Sequence, residues 1–470
     1  MNERHAIVCV DLSFGDTGKG TMIDALAREH RAHTVVRFNG GAQAAHNVVT
    51  RDGRHHTFSQ FGSATLVPGV ETFLSRFMLV HPLAMLAEEE HLQSLGVRDA
   101  FARLSVDARA LVISPFQQAA NRLREMARGA NRHGSCGMGI GETMSDALSA
   151  PHEALVVGDL RDPGLLRRKL RQVQARKYDE LRALCSVLRR EPGAAREISW
   201  LEDQDWVDEV ADIFSSLAAR IAIVDEAQAR GLFSQAGTLL FEGAQGVLLD
   251  EWRGFHPYTT WSTTTFANAQ TLLDELGFEG RVTRLGILRS YTTRHGAGPF
   301  VTEDSSLRAL LPEPHNTTTP WQQHFRSGWQ DVVAARYALA ASGGADGLAI
   351  THVDSLSRLP EWRACLSYQI ANTAEPSTKG PAAPLFQVAP SGEAASIVLG
   401  PERDLDHQEA LSRALFTCSP VYQDWSESRS PRAFCERLAA SLSLPLLALS
   451  AGPTAEDKTL LGALAASAPR

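Results

Sequence analysis

Long apolar runs, paired cysteines and an excess of positive charge are all missing from this 470-residue sequence, and each absence removes a class of function. No stretch approaches the ~18 apolar residues needed to span a bilayer. The N-terminal apolar run over 6–10 is also shorter than the roughly 7 to 15 residues of a signal-peptide core. A cytoplasmic protein with no membrane partner is therefore the expectation. The six cysteines (Cys9, Cys136, Cys185, Cys365, Cys418 and Cys435) contain no C-x-x-C pair, which argues against a zinc site and against a disulfide framework. Forty-six Lys and Arg against 54 Asp and Glu leave a formal net charge of −8. That is the wrong sign for a chain that coats itself in phosphate backbone, so nucleic acid is not an expected partner. No repeat period is visible, which excludes solenoids and propellers.

What remains is a globular composition, 44% hydrophobic and 21% charged. An apolar run over 5–12 ends in Ser13-Phe14-Gly15-Asp16-Thr17-Gly18-Lys19-Gly20, after which Met22, Ile23, Leu26 and Ala27 recur at helical spacing. This predicts strand, glycine loop, helix. Short buried-type strands are predicted over 34–38, 238–242 and 282–288, and strands separated by helices imply an α/β fold with a mainly parallel sheet. Between Asp162 and Glu191, Leu166, Leu170, Val173, Leu181, Leu184 and Leu188 form an apolar stripe beside Arg167, Arg168, Lys169 and Arg171. An amphipathic basic helix is expected there, its charges solvated or facing acidic partners. The segment 376–403, rich in Pro, Gly, Ala and Ser, is predicted to be a surface loop.

A glycine loop between a strand and a helix makes an anion site, because the unpaired N–H groups and the helix dipole point at the bound group. The loop Gly15 to Gly20 follows that logic without being the usual phosphate loop, since Ser13 stands where glycine belongs and Gly20 follows Lys19 in place of Ser or Thr. A tight turn before a packed helix would use the same glycines. Asp16 inside the loop is the informative residue: a carboxylate beside phosphates needs a cation or a proton-transfer role to offset repulsion. A second glycine turn, Asn39-Gly40-Gly41-Ala42-Gln43-Ala44-Ala45-His46, follows the second strand. Carboxyl ends of strands are where open α/β sheets bind ligands, so His46 and Asp16 are expected to share a site.

With these two turns the sequence resembles the adenylosuccinate synthetase family, whose loops read approximately G-D-E-G-K-G and Q-G-G-x-N-A-G-H. The likeness continues in order. Phe241-Glu242-Gly243-Ala244-Gln245-Gly246 resembles F-E-G-A-Q-G, and Pro257-Tyr258-Thr259-Thr260 resembles P-F-V-T. Tyr291-Thr292-Thr293-Arg294-His295-Gly296 is similar to Y-T-T-R-V-G, Thr351-His352-Val353-Asp354 to T-K-x-D, and Ser450-Ala451-Gly452-Pro453 to S-T-G-P. The resemblance implies one large doubly wound domain over 1–470, related to phosphate-loop NTPases, with helices on both faces of the sheet. It also implies a homodimer and a GTP- and Mg²⁺-dependent ligase of purine biosynthesis. By the same resemblance Asp16 would deprotonate an IMP-like ring nitrogen and, with the Ala45 carbonyl, hold Mg²⁺. Lys19 and His46 would act on the transferring phosphoryl group. Gly15, Thr17, Gly18, Gly20, Asp354, Ser450 and Gly452 would bind GTP. Gln43, Ser135, Cys136, Gln245, Thr260 and His295 would face the purine nucleotide, and Thr318, Thr319 and Arg326 the amine, aspartate in the ordinary case. Ordinary structural roles stay open for some of these: Gln245 could pair with buried backbone, and Asp354 could cap a helix starting at Ser355.

The departures bear on the substrate. The family's G-T-T-G-R-G-I-G-P appears as Gly134-Ser135-Cys136-Gly137-Met138-Gly139-Ile140-Gly141-Glu142, so one hydroxyl has become a thiol. No arginine stands near 150–152, where the family sends one to the neighbouring subunit's phosphate. Where the family has A-T-T-G-R-R-R-R, its carboxylate-binding arginines fall on Gln323 and Phe325, and only Arg326 survives. Neither replacement can make a bidentate contact to a carboxylate. An altered acceptor, amine or both is thus a second expectation beside adenylosuccinate synthesis, and a nucleotide sensor without turnover a third.

Overall fold

Alternation along the first strand explains how the molecule is layered. In β1 (Arg4–Asp11) the buried Ala6, Val8 and Val10 join one hydrophobic cluster while Ile7 and Cys9 join another, because successive side chains leave opposite faces of a strand. A strand apolar on both sides belongs in the middle of a sheet covered twice. The computed structural model, which describes residues 4–129, 135–313, 325–370, 384–428 and 430–465, places β1 inside a ten-stranded sheet. The other strands are β2 (Thr34–Arg37), β3 (Glu71–Leu74), β4 (Leu104–Asp107), β5 (Ala222–Val224), β6 (Gly237–Glu242), β7 (Arg281–Arg289), β8 (Gly347–Thr351), β9 (Leu446–Ser450) and β10 (Lys458–Leu460). Their spatial order is β10-β9-β8-β7-β1-β6-β2-β3-β4-β5. All neighbours run parallel except β9 with the edge strand β10. The strands expected over 5–12, 34–38, 238–242 and 282–288 are β1, β2, β6 and β7.

Helices cover both faces. α1 (Lys19–His30) buries Met22, Ile23, Leu26 and Ala27 against Ile7 and Cys9. On the opposite face Leu272 of the helix Ala267–Glu275 and Val333 of the helix Val332–Ala341 pack with Val8 and Val10. A further helical layer shares a second core with β3, β4 and β5: α2 (Pro115–Arg128), α3 (Ile140–Ser149), α4 (Pro163–Leu188) and α5 (Asp205–Ala218). Phe116, Leu123, Leu170, Leu181 and Phe214 meet there. α4 is the basic helix expected between 162 and 191, started by Asp162, whose side chain accepts from the N–H groups of Gly164 and Leu165. Its charges are used inside the layer. Arg167 pairs with Asp208 and Asp212 of α5, Arg171 with Asp208, and Lys169 with Asp159. No described helix is long and apolar enough to cross a membrane.

The loop expected over 376–403 is described only from 384, and there it departs from expectation. Phe386–Val388 and Glu393–Ile397 pair antiparallel, and the second of these pairs with Arg363–Gln369 in a five-stranded sheet. Short strands turned by Ser391 and Gly392 (φ 83°) leave too little periodicity for a pattern to register.

Candidate active site

Asp11, the last residue of β1, organises the glycine loop that follows. One carboxylate oxygen accepts from the N–H groups of Ser13 (2.8 Å) and Gly15 (3.3 Å). The other accepts from the Thr17 hydroxyl (2.6 Å) and from the Lys19 ammonium (2.8 Å). The loop thus folds around a buried carboxylate that holds Lys19 at the mouth of α1. Gly18, in the left-handed region at φ 77°, begins α1 and gives it no side-chain cap, so the first N–H groups of the helix are left for a ligand. Gly20 serves packing. A Cβ there would lie 2.7 Å from the Cβ of His46.

His46 starts a short strand, His46–Val49, and its Nδ1 sits 2.6 Å from a Glu242 carboxylate oxygen at the end of β6. The carboxylate also accepts from the N–H of Ser63 at 2.9 Å. Burial raises the Glu242 carboxyl most, but the Arg37 charge and the His46 bond overcome it and bring its pKa to about 2. Burial also pulls His46 below its ordinary value, against the opposing effect of Glu242. A neutral imidazole with Nδ1–H donated to Glu242 leaves Nε2 for chemistry.

Asp16 takes a left-handed conformation (φ 57°). Its carboxylate lies 4.0 Å from the Nδ1 of His295. The Arg289 guanidinium fixes the loop by donating to the Asp16 carbonyl, and it pairs in turn with Glu313. Gln43 and Gln245 approach each other across Gly40. The amide atoms of Gln43 and the Oε1 of Gln245 are buried without a hydrogen-bond partner among the described residues, so Gln245 does not spend its carbonyl on described backbone. The Asp354 carboxylate does not cap the 3₁₀ turn Val353–Arg358: it lies inside the first turn, and the capping position is His352.

All of this converges on one cavity of about 1290 Å³ along the carboxyl ends of β1, β6, β7, β8 and β9. The strand order reverses at β1, which is where such sheets open a crevice. Gly15, Asp16, Gly18, Lys19, Gly20, Ala45, His46, Gln43, Gln245, Thr260, His295, Asp354, Ser450 and Gly452 line it, with Ser135 and Cys136 on the wall formed by α2, α3 and α4. Thr17 and Arg326 are not brought in. Thr17 turns its hydroxyl to Asp11, and Arg326 bonds Glu303 (2.8 Å) and the carbonyls of Gly296 (2.8 Å) and Gly298 (2.9 Å). Thr318, Thr319 and Gln323 lie outside the described residues. Sequence reasoning missed Asp11 and Glu242. Their signal was present: each is a lone carboxylate closing an apolar strand, a costly place for a charge without a partner.

A family model described as adenylosuccinate synthetase matches residues 8–394. The adenylosuccinate synthetase of Acidithiobacillus ferrooxidans is 30% identical over 476 residues, covering 98% of this chain and 99% of its own. The fully ligated adenylosuccinate synthetase of Plasmodium falciparum superposes with a TM-score of 0.74 at 21% identity, covering 98% of this chain and 100% of that one. A cyanophage S-2L succinoaminodeoxyadenylate synthetase bound to dGMP and dATP reaches a TM-score of 0.58 at 16% identity, covering 98% and 97%.

Proposed function

Because the chain belongs to the adenylosuccinate synthetase family, we propose that it is a GTP- and Mg²⁺-dependent ligase that phosphorylates the carbonyl oxygen of a purine-type (IMP-like) lactam and replaces that oxygen with an amine. The observation that carries this reading is the meeting of Asp16, Lys19 and His46 in one cavity, with Glu242 buried behind the imidazole and bonded to it. A lactam oxygen is a poor leaving group, and phosphorylation turns it into phosphate. Asp16 removes the ring N–H proton, so the oxygen becomes nucleophilic and attacks the γ-phosphorus while GDP departs. Lys19 and the free N–H groups of α1 hold the β- and γ-phosphates. His46, neutral and oriented by Glu242, presents Nε2 to the transferring group. The amine then adds to the ring carbon, orthophosphate leaves, and the amine proton is released.

Asp16 suits Mg²⁺: as a carboxylate lining the cavity beside Ala45 it offers the hard oxygen donor this ion prefers. The Asp16 carboxylate and the Ala45 carbonyl would hold the ion together with phosphate oxygens, a sparse oxygen set of the kind Mg²⁺ takes. When bound, Mg²⁺ supplies neutralisation of the β,γ-phosphate charge. Asp354 provides the acceptor that favours guanine over adenine, beside Ser450 and Gly452. The other partners are small molecules and a second copy of the chain, in the cytoplasm.

A second reading, with an amine other than aspartate, draws on the arginines. Arg326 is engaged by Glu303, and Arg294 is buried, donating to the carbonyls of Ala297, Pro299 and Tyr258. Neither offers a free fork to a carboxylate, whose loss costs roughly 1.5–3 kcal/mol per charge-assisted bond.

The test uses an ¹⁸O-labelled lactam, GTP, Mg²⁺ and a panel of amines that includes aspartate. The label should appear in released orthophosphate, and Asp16→Ala should abolish release while GTP still binds. Phosphate that stays unlabelled with every amine refutes the proposal. The amine giving the highest kcat/KM decides between the two readings.

A further inference from the structure

The cavity wall made by α2, α3 and α4 carries six charged side chains, Arg124, Glu125, Arg128, Glu142, Lys177 and Glu180, and its three cations are already matched. Arg124 contacts Glu142 (2.8 Å) and Glu180 (2.7 Å). Lys177, only 2% exposed, reaches Asp146 (2.7 Å), Glu142 (3.0 Å) and Glu180 (3.2 Å). Arg128 pairs with Glu125. With Asp146 behind it, itself 3.8 Å from Arg176, the wall has as many carboxylates as cations. A phosphomonoester dianion placed here would have to compete with carboxylates for every cation, and would gain no net charge compensation.

The hydroxyl and thiol at the start of this wall make poor anion ligands. The Ser135 hydroxyl donates to Asn121 (2.8 Å) and accepts from the Gly137 N–H (3.1 Å). Burial keeps the Cys136 thiol protonated by raising its pKa, and a thiol is a weak donor. At the N-terminus of α3 the first turn contains Glu142, and the Trp261 indole lies over Gly141, where a Cβ would sit 3.1 Å from its Nε1. The helix end that could receive an anion is thus covered by an aromatic ring and supplied with its own carboxylate.

The buried polar atom without a partner on this wall is an acceptor. Glu125 is 0% exposed, and its Oε2 has no hydrogen-bond partner among the described residues. A buried carboxylate oxygen without a donor costs free energy until a ligand supplies one.

We propose that the acceptor carries no phosphate where it meets this wall and instead presents a hydroxyl or ammonium donor to Glu125, so that the substrate is nucleoside-like rather than a nucleotide. The inference rests on the ligase reading and narrows its acceptor class. The experiment titrates inosine and IMP, a pair differing only in the phosphate, into the full chain saturated with Mg²⁺ and a non-hydrolysable GTP analogue. IMP should bind at least tenfold more weakly than inosine. The double variant Glu142→Gln/Glu180→Gln, which frees Arg124, should strengthen IMP binding at least tenfold, with unchanged affinity for the GTP analogue as the check on folding. IMP binding as tight as inosine in the unaltered protein, or no gain for IMP in the variant, overturns the inference and leaves the ligase reading standing. Absence of saturable binding of the GTP analogue would remove both.

Discussion

At the scale of single residues, the His46–Glu242 contact decides whether the imidazole can act. A ring held through Nδ1–H keeps one tautomer and one orientation, and Glu242 can hold it because the Arg37 charge and the His46 bond keep it an anion against the opposing effect of burial. In Glu242→Gln a neutral amide replaces that anion and also faces the buried Arg37 guanidinium. Turnover should fall on the order of 100-fold with KM for GTP little changed, since Lys19 and the α1 N–H groups are untouched. Glu242→Asp should recover part of kcat, which a purely structural role for the carboxylate would not explain. The same group makes a stability prediction. Its folded pKa of about 2 lies below the ordinary 4.5, so its contribution is complete above pH 4.5 and is lost as pH falls toward 2. At 1.36 kcal/mol per unit that is about 3 kcal/mol. Denaturant melts between pH 5 and 2 should show a shallower acid loss in Glu242→Gln than in the unaltered protein. An equal slope would mean that other carboxylates govern acid unfolding.

At the scale of elements, α1 is held between two demands: its N-terminus must stay open for phosphates, and its first turn must let His46 pass close by. Glycine at position 20 meets the second. Alanine normally favours a helix over glycine by about 1 kcal/mol, but here its Cβ would fall 2.7 Å from His46 Cβ and 3.2 Å from the His46 backbone carbon. Overpacking of that kind costs about 1–3 kcal/mol, so Gly20→Ala should destabilise the fold and displace the imidazole, lowering kcat. Gly231→Ala, in the helix Glu226–Phe233 with nothing within 4 Å of its added Cβ, is the control and should be neutral or stabilising by up to about 1 kcal/mol. Thermal melts and turnover of the two variants separate packing from propensity. Elements built this locally were legible in the sequence: the apolar run, the glycine loop and the spacing of Met22, Ile23 and Leu26 specify strand, turn and helix over fewer than thirty residues. The basic stripe of α4 was legible as a helix but not in its purpose. Asp208 and Asp212, which take up Arg167 and Arg171, lie in another helix and follow no spacing rule that links them.

At the scale of the whole molecule, the cavity joins two parts of different origin. The carboxyl edge of the sheet was readable because Asp16 and His46 each follow a strand end, where α/β sheets place ligands, while Gln245, Asp354 and Ser450 were legible only through the resemblance to a family. The helical wall was not. Arg124, Glu142 and Lys177 come from three helices, α2 and α4 packed through Leu123, Leu170 and their neighbours and α3 tied to both by ion pairs, so charge matching across them leaves no local pattern. This division predicts how ligands act on the chain. A bound ligand suppresses local opening where its contacts lie, and it stabilises the native state by about 2.7 kcal/mol at one hundred times its Kd. A GTP analogue with Mg²⁺ should slow amide hydrogen exchange in the loop 11–20, at the start of α1 and after β8 and β9, and leave α2 and α3 near their unliganded rates. Adding inosine should then slow exchange at the C-terminal half of α2, which carries Glu125, and at the first turn of α3 beneath Trp261. Mass-resolved exchange at peptide level distinguishes this from uniform stabilisation, in which both regions would slow together with the first ligand. That result would mean that the sheet edge and the helical wall open as one unit, because a ligand touching only one part can protect the other only if the two unfold together.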